Sequence, residues 1–340
     1  MEWEDYKKRF YSASRKAGFS KEDQQKCLIY AKNIFSKKHP IIYDQSHLSL
    51  LVGFDLEYLL KVTNSQKHFY RKFKIAKKNG TEREISEPLP NLKEIQRWIL
   101  EEILYKSVTS NYAKAYKTGF SIKDNARFHK NQKYVITLDI KNFFGSIKWG
   151  VIYKYFSGIG YINSVAIMLT NICTLEDTLP QGAPTSAALS NIISFPIDNK
   201  IAEYSKEHKL RYTRYADDIT LSGDASPGNV IEFVTNLLKK YDFIVNQSKT
   251  RVLKQSQRQL VTGVVVNSKQ LQAPASIRDE LRKSIYFIEK FGIESHITHE
   301  GINKANYIHH LLGVANYIKF LNPKDKDAIK ALEVLKPHLI

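Results

Sequence analysis

The chain has 340 residues, 43% hydrophobic and 12% aromatic, enough for two or three packed modules around a sizeable core, so general disorder is excluded. Lysine and arginine number 52 against 34 acidic residues, a formal charge of +18. That exceeds what solubility needs and reads either as a basic surface of no consequence or, more pointedly, as the footprint of a polyanion, nucleic acid first. No basic amphipathic helix with a lipid-facing stripe stands out, and no apolar run approaches the ~18 residues that span a bilayer. The opening MEWEDYKKRF does not resemble a signal peptide, and Cys27 and Cys173 lie far apart without C-x-x-C spacing. These features predict a cytoplasmic, reducing setting with no membrane partner.

In chain order, residues 1–62 carry apolar positions at helical spacing among many lysines. The stretch FYRKFKIAKKNGTEREISEP at 69–88 alternates Phe73 and Ile75 with cations and turns at Asn79-Gly80, predicting a two-stranded basic ribbon. Residues 92–106 place Leu92, Ile95, Ile99 and Ile103 on one helical face, a core stripe with Trp98 packing beside it. KYVITLDIKNFFGSI at 133–147 is strand-like through Ile140, with Asp139 near its end. Residues 149–175 read as helical, and LPQGAPTSAALSNIIS at 179–194 as a loop followed by a helix begun by Thr185 or Ser186.

RYTRYADDITLSG at 211–223 sets Asp217-Asp218 inside an apolar and aromatic run, where a strand interior tolerates Asp poorly. The pair can be a hairpin turn, since Asp accepts turn conformations, or a metal site in which two carboxylates converge on a hard cation; the two readings are compatible. A helix near 227–241 follows, then FIVNQSKTRVL and QLVTGVVVN as short strands, and from Ser276 onward amphipathic helices closed by Pro323. The order is α+β, with strands meeting strands rather than βαβ alternation. Nucleotidyl transfer with two Mg²⁺ ions about 3.5 to 4 Å apart needs carboxylates that bridge both, and Asp139 with Asp217 and Asp218 are a plausible supply.

LDIKNFF, LPQGAPTS, YADD, NQSKT and VTGVVVN, in that order, resemble the palm of a reverse transcriptase, and the resemblance runs from about Phe69 to the end of the chain. Among these enzymes the chain is most similar to the retron type, because NARFH at 125–129 matches an Asn-Ala-x-x-His element and VTG at 261–263 a triplet after the palm. The resemblance implies a right-hand polymerase fold with fingers, an antiparallel-sheet palm and a helical thumb. Its parts would be a helical N-terminal extension at 1–62, fingers at 63–132, palm with interleaved finger helices at 133–267, and an RNA-binding helical thumb at 268–340.

It also implies roles. Asp139, Asp217 and Asp218 would hold two Mg²⁺, with Asp218 the least essential and Ile140 offering its backbone carbonyl. Phe144 would exclude a ribose 2′-OH, unless it is ordinary core, since one of Phe143 and Phe144 must face inward. Gln181 and Gly182 would meet the incoming nucleotide, and Arg83 with Lys77 or Lys78 the triphosphate. Lys249 either protonates the leaving pyrophosphate, which suits a lysine whose pKa desolvation has lowered, or is a surface lysine. Asn125, His129, Val261, Thr262 and Gly263 would serve the RNA template-primer, His129 by contact or by fixing a loop.

Five of the ten histidines lie from His296 onward, including His299, His309 and His310, and without Cys or Glu at ligand spacing they read as surface or RNA-facing residues rather than a zinc site. The implied partners are dNTPs, a structured non-coding RNA that is both template and primer, the branched msDNA product and an effector protein in phage defence. The competing readings are a diversity-generating, abortive-infection or group II intron-like reverse transcriptase, an RNA-dependent RNA polymerase, or a catalytically silent RNA-binding subunit. The intact LPQGAPTS opposes the diversity-generating class, VTG both that class and the abortive-infection type, the chain's length the intron class, Phe144 the RNA polymerase, and three intact acids the silent subunit.

Overall fold

Residues 2–76, 80–301 and 306–338 are described in the computed structural model, and the chain divides into two units, each drawn from three stretches of sequence. The first comprises Met1–Asn111, Lys141–Asn199 and Lys240–Phe243; the second comprises Tyr112–Ile140, Lys200–Lys239 and Ile244–Ile340.

The first unit begins with helices Trp3–Lys16, Lys21–Ser36, Gln45–Val52 and Leu56–Asn64. Ser20 and Asp44 cap the second and third by accepting from the backbone N–H groups of Asp23 and His47, which satisfies donors a helix start leaves open. Strands β1 (Tyr70–Ala76) and β2 (Glu82–Pro88) pair antiparallel with Phe73 opposite Ile85, as the alternation predicts. Of the expected turn, Asn79 lies outside the described residues, and Gly80 follows at φ 79°. Helix Pro90–Glu102 buries Leu92, Ile95 and Ile99. Gln96 on that face is fully buried, and its amide donates to Tyr70 Oη and the Ile172 carbonyl, each at 2.8 Å.

Two expectations shift here. The helical stretch 149–175 is two helices, Trp149–Ile159 and Asn163–Cys173, because Gly160 at φ 112° closes the first in the left-handed region. The helix after the Pro-Gln-Gly loop starts at Pro184, not at Thr185 or Ser186, since a fixed φ and a missing N–H suit the first helical position.

The second unit is built on a four-stranded antiparallel sheet. Its strands are β3 (Tyr134–Asp139), β4 (Arg211–Tyr215), β5 (Asp218–Gly223) and β6 (Arg251–Lys254), in the order β4-β5-β3-β6. Helix Pro227–Lys239 packs on β3 and buries Val230, Val234 and Leu238. The expected strand over FIVNQSKTRVL is reduced to β6. Before it, Lys249 and Thr250 donate their N–H groups back to Asn246, closing a 3₁₀ turn at Gln247–Lys249 in place of a ladder. A small hairpin, β7 (Leu260–Val261) and β8 (Val264–Val265), leads to helices Ala275–Phe291, Ile293–His299, Tyr307–Leu321 and Lys326–Leu335. Val261, Val264, Leu281, Ile285, Leu311 and Ile318 join one apolar cluster under these helices.

Candidate active site

Asp139 ends β3 and Asp218 begins β5, and the antiparallel register sets them directly opposite each other. Facing pairs hold their Cβ atoms about 4.5 to 5.5 Å apart, so two carboxylates share one sheet edge. Tyr215 pairs with Asp218, which leaves Ala216-Asp217 as a two-residue hairpin loop. The Asp217 carbonyl accepts from the Ile140 N–H at 3.0 Å, tying the loop back to the end of β3. The hairpin reading of the acidic pair holds, with its turn one residue earlier than Asp217-Asp218, at Ala216-Asp217, and Asp218 already in β5.

The turn is strained. Ala216 sits at φ 58°, a left-handed conformation that favours glycine. Arg214, 1% exposed and one of the largest fully buried side chains, donates Nη1 to the Ala216 carbonyl at 3.0 Å and holds the loop there. Sequence reasoning missed this residue, whose role depends on its burial beneath the turn.

A cation also reaches the edge. Lys249 Nζ donates to Asp139 Oδ2 at 2.7 Å, and Asn246 Nδ2 to Oδ1 at 3.2 Å. The Asn246 N–H further donates to the Asp139 carbonyl at 2.7 Å, so Asn246, also missed from sequence, fixes both ends of that residue. The hydrogen bond to Asp139 holds the Lys249 ammonium above the ordinary lysine range, against the expected lowering by desolvation, because the adjoining carboxylates outweigh a partial loss of solvent. Asp218 keeps an exposed face, yet its pKa is pushed up to about 6, first by desolvation, then by the charges of Asp217 and Asp139, with Lys249 opposing.

Carboxylates gathered this closely form a donor set suited to a hard divalent cation. With Asp139 turned onto Lys249 and Asn246, no group of three or more His, Cys, Asp or Glu among the described residues is yet arranged to hold an ion. The set is all oxygen, as Mg²⁺ requires, and Mg²⁺ completes its shell with water and phosphate oxygens rather than an all-protein cage. The residues fit the ion.

The first unit carries the residues expected to meet a nucleotide. Phe143 is buried and packs on Phe243 with ring centres 5.7 Å apart, whereas Phe144 is half-buried, so the inward-facing member of the pair is Phe143. The loop of Gln181 and Gly182 docks on β2, where the Ser86 N–H donates to the Gln181 carbonyl at 2.8 Å. Gly182, at φ 134°, has no room for a side chain: a Cβ would come within 2.7 Å of the Ser86 carbonyl and 3.0 Å of Ile85 Cγ2. Arg83 is exposed and, by strand alternation, shares the face on which Ile85 meets Gly182. Lys77 and Lys78 lie outside the described residues.

The two short elements expected to serve RNA meet each other in the second unit. Asn125 Nδ2 donates to Thr262 Oγ1 at 3.4 Å. Thr262 and Gly263, at φ 47° and 79°, form the left-handed turn between β7 and β8, the backbone that a two-residue hairpin of this hand requires. Asn125, His129 and Val261 are fully buried. Direct RNA contact by these three side chains gives way to a structural role, and exposure is left to Gly263 and, in part, Thr262.

His129 bridges the sheet, Nδ1 to Ser222 Oγ at 2.7 Å and Nε2 to Thr213 Oγ1 at 2.8 Å. Its pKa is lowered to about 3 by burial, with the Arg211 charge adding. The unfolded chain takes up a proton at this residue near pH 6.5 while the folded chain does not, so the unfolded state binds more protons below that pH. Stability is therefore expected to fall as pH drops below about 6.5, by up to about 1.4 kcal/mol per pH unit from this residue. Denaturant titrations across that range should show the slope, and His129→Asn should flatten it.

His296 also departs from expectation. It is 4% exposed, Nε2 hydrogen-bonded to Tyr307 Oη at 3.0 Å and its ring stacked on Phe287, because helices Ala275–Phe291 and Tyr307–Leu321 close over it. His299, His309 and His310 are exposed, as expected.

Residues 75–266 match the model of the family described as reverse transcriptase (RNA-dependent DNA polymerase). The chain is 27% identical to the retron Ec86 reverse transcriptase of Escherichia coli over 84% of its own length and 87% of that protein's. It is 30% identical to the retron Mx65 reverse transcriptase of Myxococcus xanthus, covering 83% and 68% of the two chains. With the retron Se72 reverse transcriptase of Salmonella heidelberg the identity is 31%, over 74% and 69%.

Proposed function

The chain belongs to the retron-type reverse transcriptases, and from that premise we propose that it copies part of a structured non-coding RNA into DNA, priming from an RNA 2′-OH to give branched msDNA. The observation that carries the reading is Asp139 set opposite Asp218 across β3 and β5, with Asp217 in the loop between β4 and β5.

Asp139, Asp217, Asp218 and the Ile140 carbonyl are assigned to hold two Mg²⁺ ions. When bound, the ions lower the pKa of the attacking hydroxyl and stabilise the leaving pyrophosphate. Lys249 is charged and poised on Asp139, a donor able to pass a proton to the pyrophosphate oxygen. Asn246 and Arg214 position the acids, one through both ends of Asp139 and the other through the Ala216 carbonyl. Arg83, with Lys77, is assigned to the triphosphate, and Gln181 and Gly182 to the incoming dNTP.

Phe144 is assigned to exclude the ribose 2′-OH, and its partial exposure beside a buried Phe143 supports this over a core role. Phe144→Val is expected to raise ribonucleotide use relative to deoxynucleotide use by about 10- to 100-fold, since a filled or emptied pocket of this size discriminates on that scale. Competing primer-extension reactions with the two nucleotide types measure it.

The partner set follows from the same reading: the cognate RNA as template and primer, its msDNA, dNTPs, and an effector protein of an anti-phage system, in the cytoplasm. Among the described residues no helix is long and apolar enough to cross a membrane. The test is to express the chain with the RNA encoded beside its gene, in wild-type form and with Asp217→Ala and Asp218→Ala combined. Extracted nucleic acid is then run on a denaturing gel before and after RNase. A short DNA that needs the acids and shifts on RNase treatment is expected. DNA without a shift removes the 2′-branch, and no DNA removes the polymerase reading.

A further inference from the structure

Residues 112–128 contain the buried Asn125, lead into the buried His129 and carry four cations, Lys114, Lys117, Lys123 and Arg127, against one acid, Asp124. That acid is spent locally: it accepts from the Ser121 backbone and hydroxyl at the start of a short helix and lies 3.3 Å from Arg127. The segment is otherwise uniformly basic. It is also rich in rings that a folded protein would ordinarily cover. Tyr116 is 51% exposed, and Phe120 and Phe128 each 37%.

Their arrangement is organised from beneath. Lys114 is 5% exposed, and its Nζ lies 4.5 Å from the Phe120 ring centre and 4.8 Å from that of Phe128. One largely buried ammonium thus holds two outward-facing rings by cation–π attraction, while Lys117 and Arg127 flank them at 5.2 and 5.7 Å. The segment is fixed at both ends. At one end Ala113 forms a parallel bridge with Arg214, the Lys114 N–H donates to the Arg214 carbonyl at 2.8 Å, and the Arg214 N–H to the Tyr112 carbonyl at 2.9 Å. At the other end His129 is bonded to Thr213 and Ser222.

We propose that Phe120 and Phe128, with Lys117 and Arg127, form a platform that binds unpaired nucleotides of the RNA, the bases stacking on the rings and the phosphates on the cations. The proposal rests on the polymerase reading for the identity of its ligand. Rigid rings interleaved with cations are the chemistry by which single strands are held without groove readout, and stacking on one aromatic ring changes affinity by about 5- to 150-fold. A lipid surface would call for an apolar stripe on a helix, and the rings here lie on a loop and one short 3₁₀ turn with cations between them. Duplex RNA offers no free base face and is bound through its backbone. The platform also gives a purpose to the buried element beside it: His129 anchors the surface that meets RNA.

The experiment compares the full chain with a Phe120→Leu, Phe128→Leu double variant, which keeps apolar volume but removes the π faces, and with a Phe120→Tyr, Phe128→Tyr variant, which restores them. Fluorescence anisotropy reads binding of an unstructured oligoribonucleotide and of an RNA hairpin duplex across a salt series. The leucine variant should bind the single strand at least about tenfold more weakly with an unchanged salt slope, hold the duplex within about twofold, and be rescued by tyrosine. Single-strand binding equal to wild type, an equal loss on duplex, or failure of tyrosine to rescue would overturn the platform. Extension of a primed template by the wild-type chain is measured alongside: if it makes DNA and the leucine variant binds normally, only the platform falls, and if it makes none, the polymerase reading falls while the binding comparison still decides the platform.

Discussion

Asp139→Asn is expected to lower the rate of DNA synthesis about a thousandfold or more while leaving the protein folded. The substitution keeps the shape of a 6%-exposed side chain and its hydrogen bond with Asn246 can be re-formed through the amide, but it removes the charge that faces Asp218 across the sheet and holds Lys249 at 2.7 Å. Loss of about 4 kcal/mol of transition-state stabilisation corresponds to a thousandfold in rate, a modest loss for a site whose cations would be held by three acids. Single-turnover primer extension measures the rate, and circular dichroism with thermal melting confirms the fold. Asp218→Asn should cost less, because that residue keeps an exposed face and is crowded by its neighbours. Retention of more than a tenth of the rate in Asp139→Asn would remove this carboxylate from the chemistry.

Gly182→Ala is expected to destabilise the first unit by about 2 to 4 kcal/mol, combining a side chain forced to φ 134° with a contact of 2.7 Å on the Ser86 carbonyl. Backbone cannot yield as a flexible side-chain tip can. Relief would come from withdrawing the loop from β2, which breaks the bond from the Ser86 N–H to the Gln181 carbonyl. Since Gln181 is assigned to the incoming nucleotide, the Michaelis constant for dNTP should rise about tenfold in parallel. Chemical denaturation and primer extension at graded dNTP concentrations read the two effects. An unchanged denaturation midpoint would mean the loop accommodates the methyl group without leaving the strand.

The acids were legible because they violate a pattern. Apolar alternation before Asp139 and on both sides of Asp217-Asp218 defines strands, and a carboxylate in such a run has few reasons to be there. Their registration opposite each other was not legible, since it depends on which strands pair, and β3 finds its partners more than 70 residues away. Arg214 escaped notice because its value lies in burial beneath a strained turn, which no local spacing reveals. The same reason misplaced His296 and left open whether His129 acts by contact or by fixing a loop. A histidine's exposure is decided by what closes over it, and here that is Thr213 and Ser222 in one case and Tyr307 in the other. Helix ends were misjudged where one residue decided them, as Gly160 and Pro184 did.

The sheet order β4-β5-β3-β6 has a consequence for how the protein is made. Strand β3 leaves the ribosome first, yet both of its neighbours are encoded far downstream, β5 at Asp218–Gly223 and β6 at Arg251–Lys254. At about 5 to 20 residues per second, β3 waits roughly 4 to 20 seconds with open edges before the first neighbour arrives, and longer for the second. An unpaired apolar strand is a template for association between nascent chains. Chaperone supply during synthesis, more than the stability of the finished sheet, should therefore set the yield of active protein, and slowing translation ahead of residue 218 should lower it.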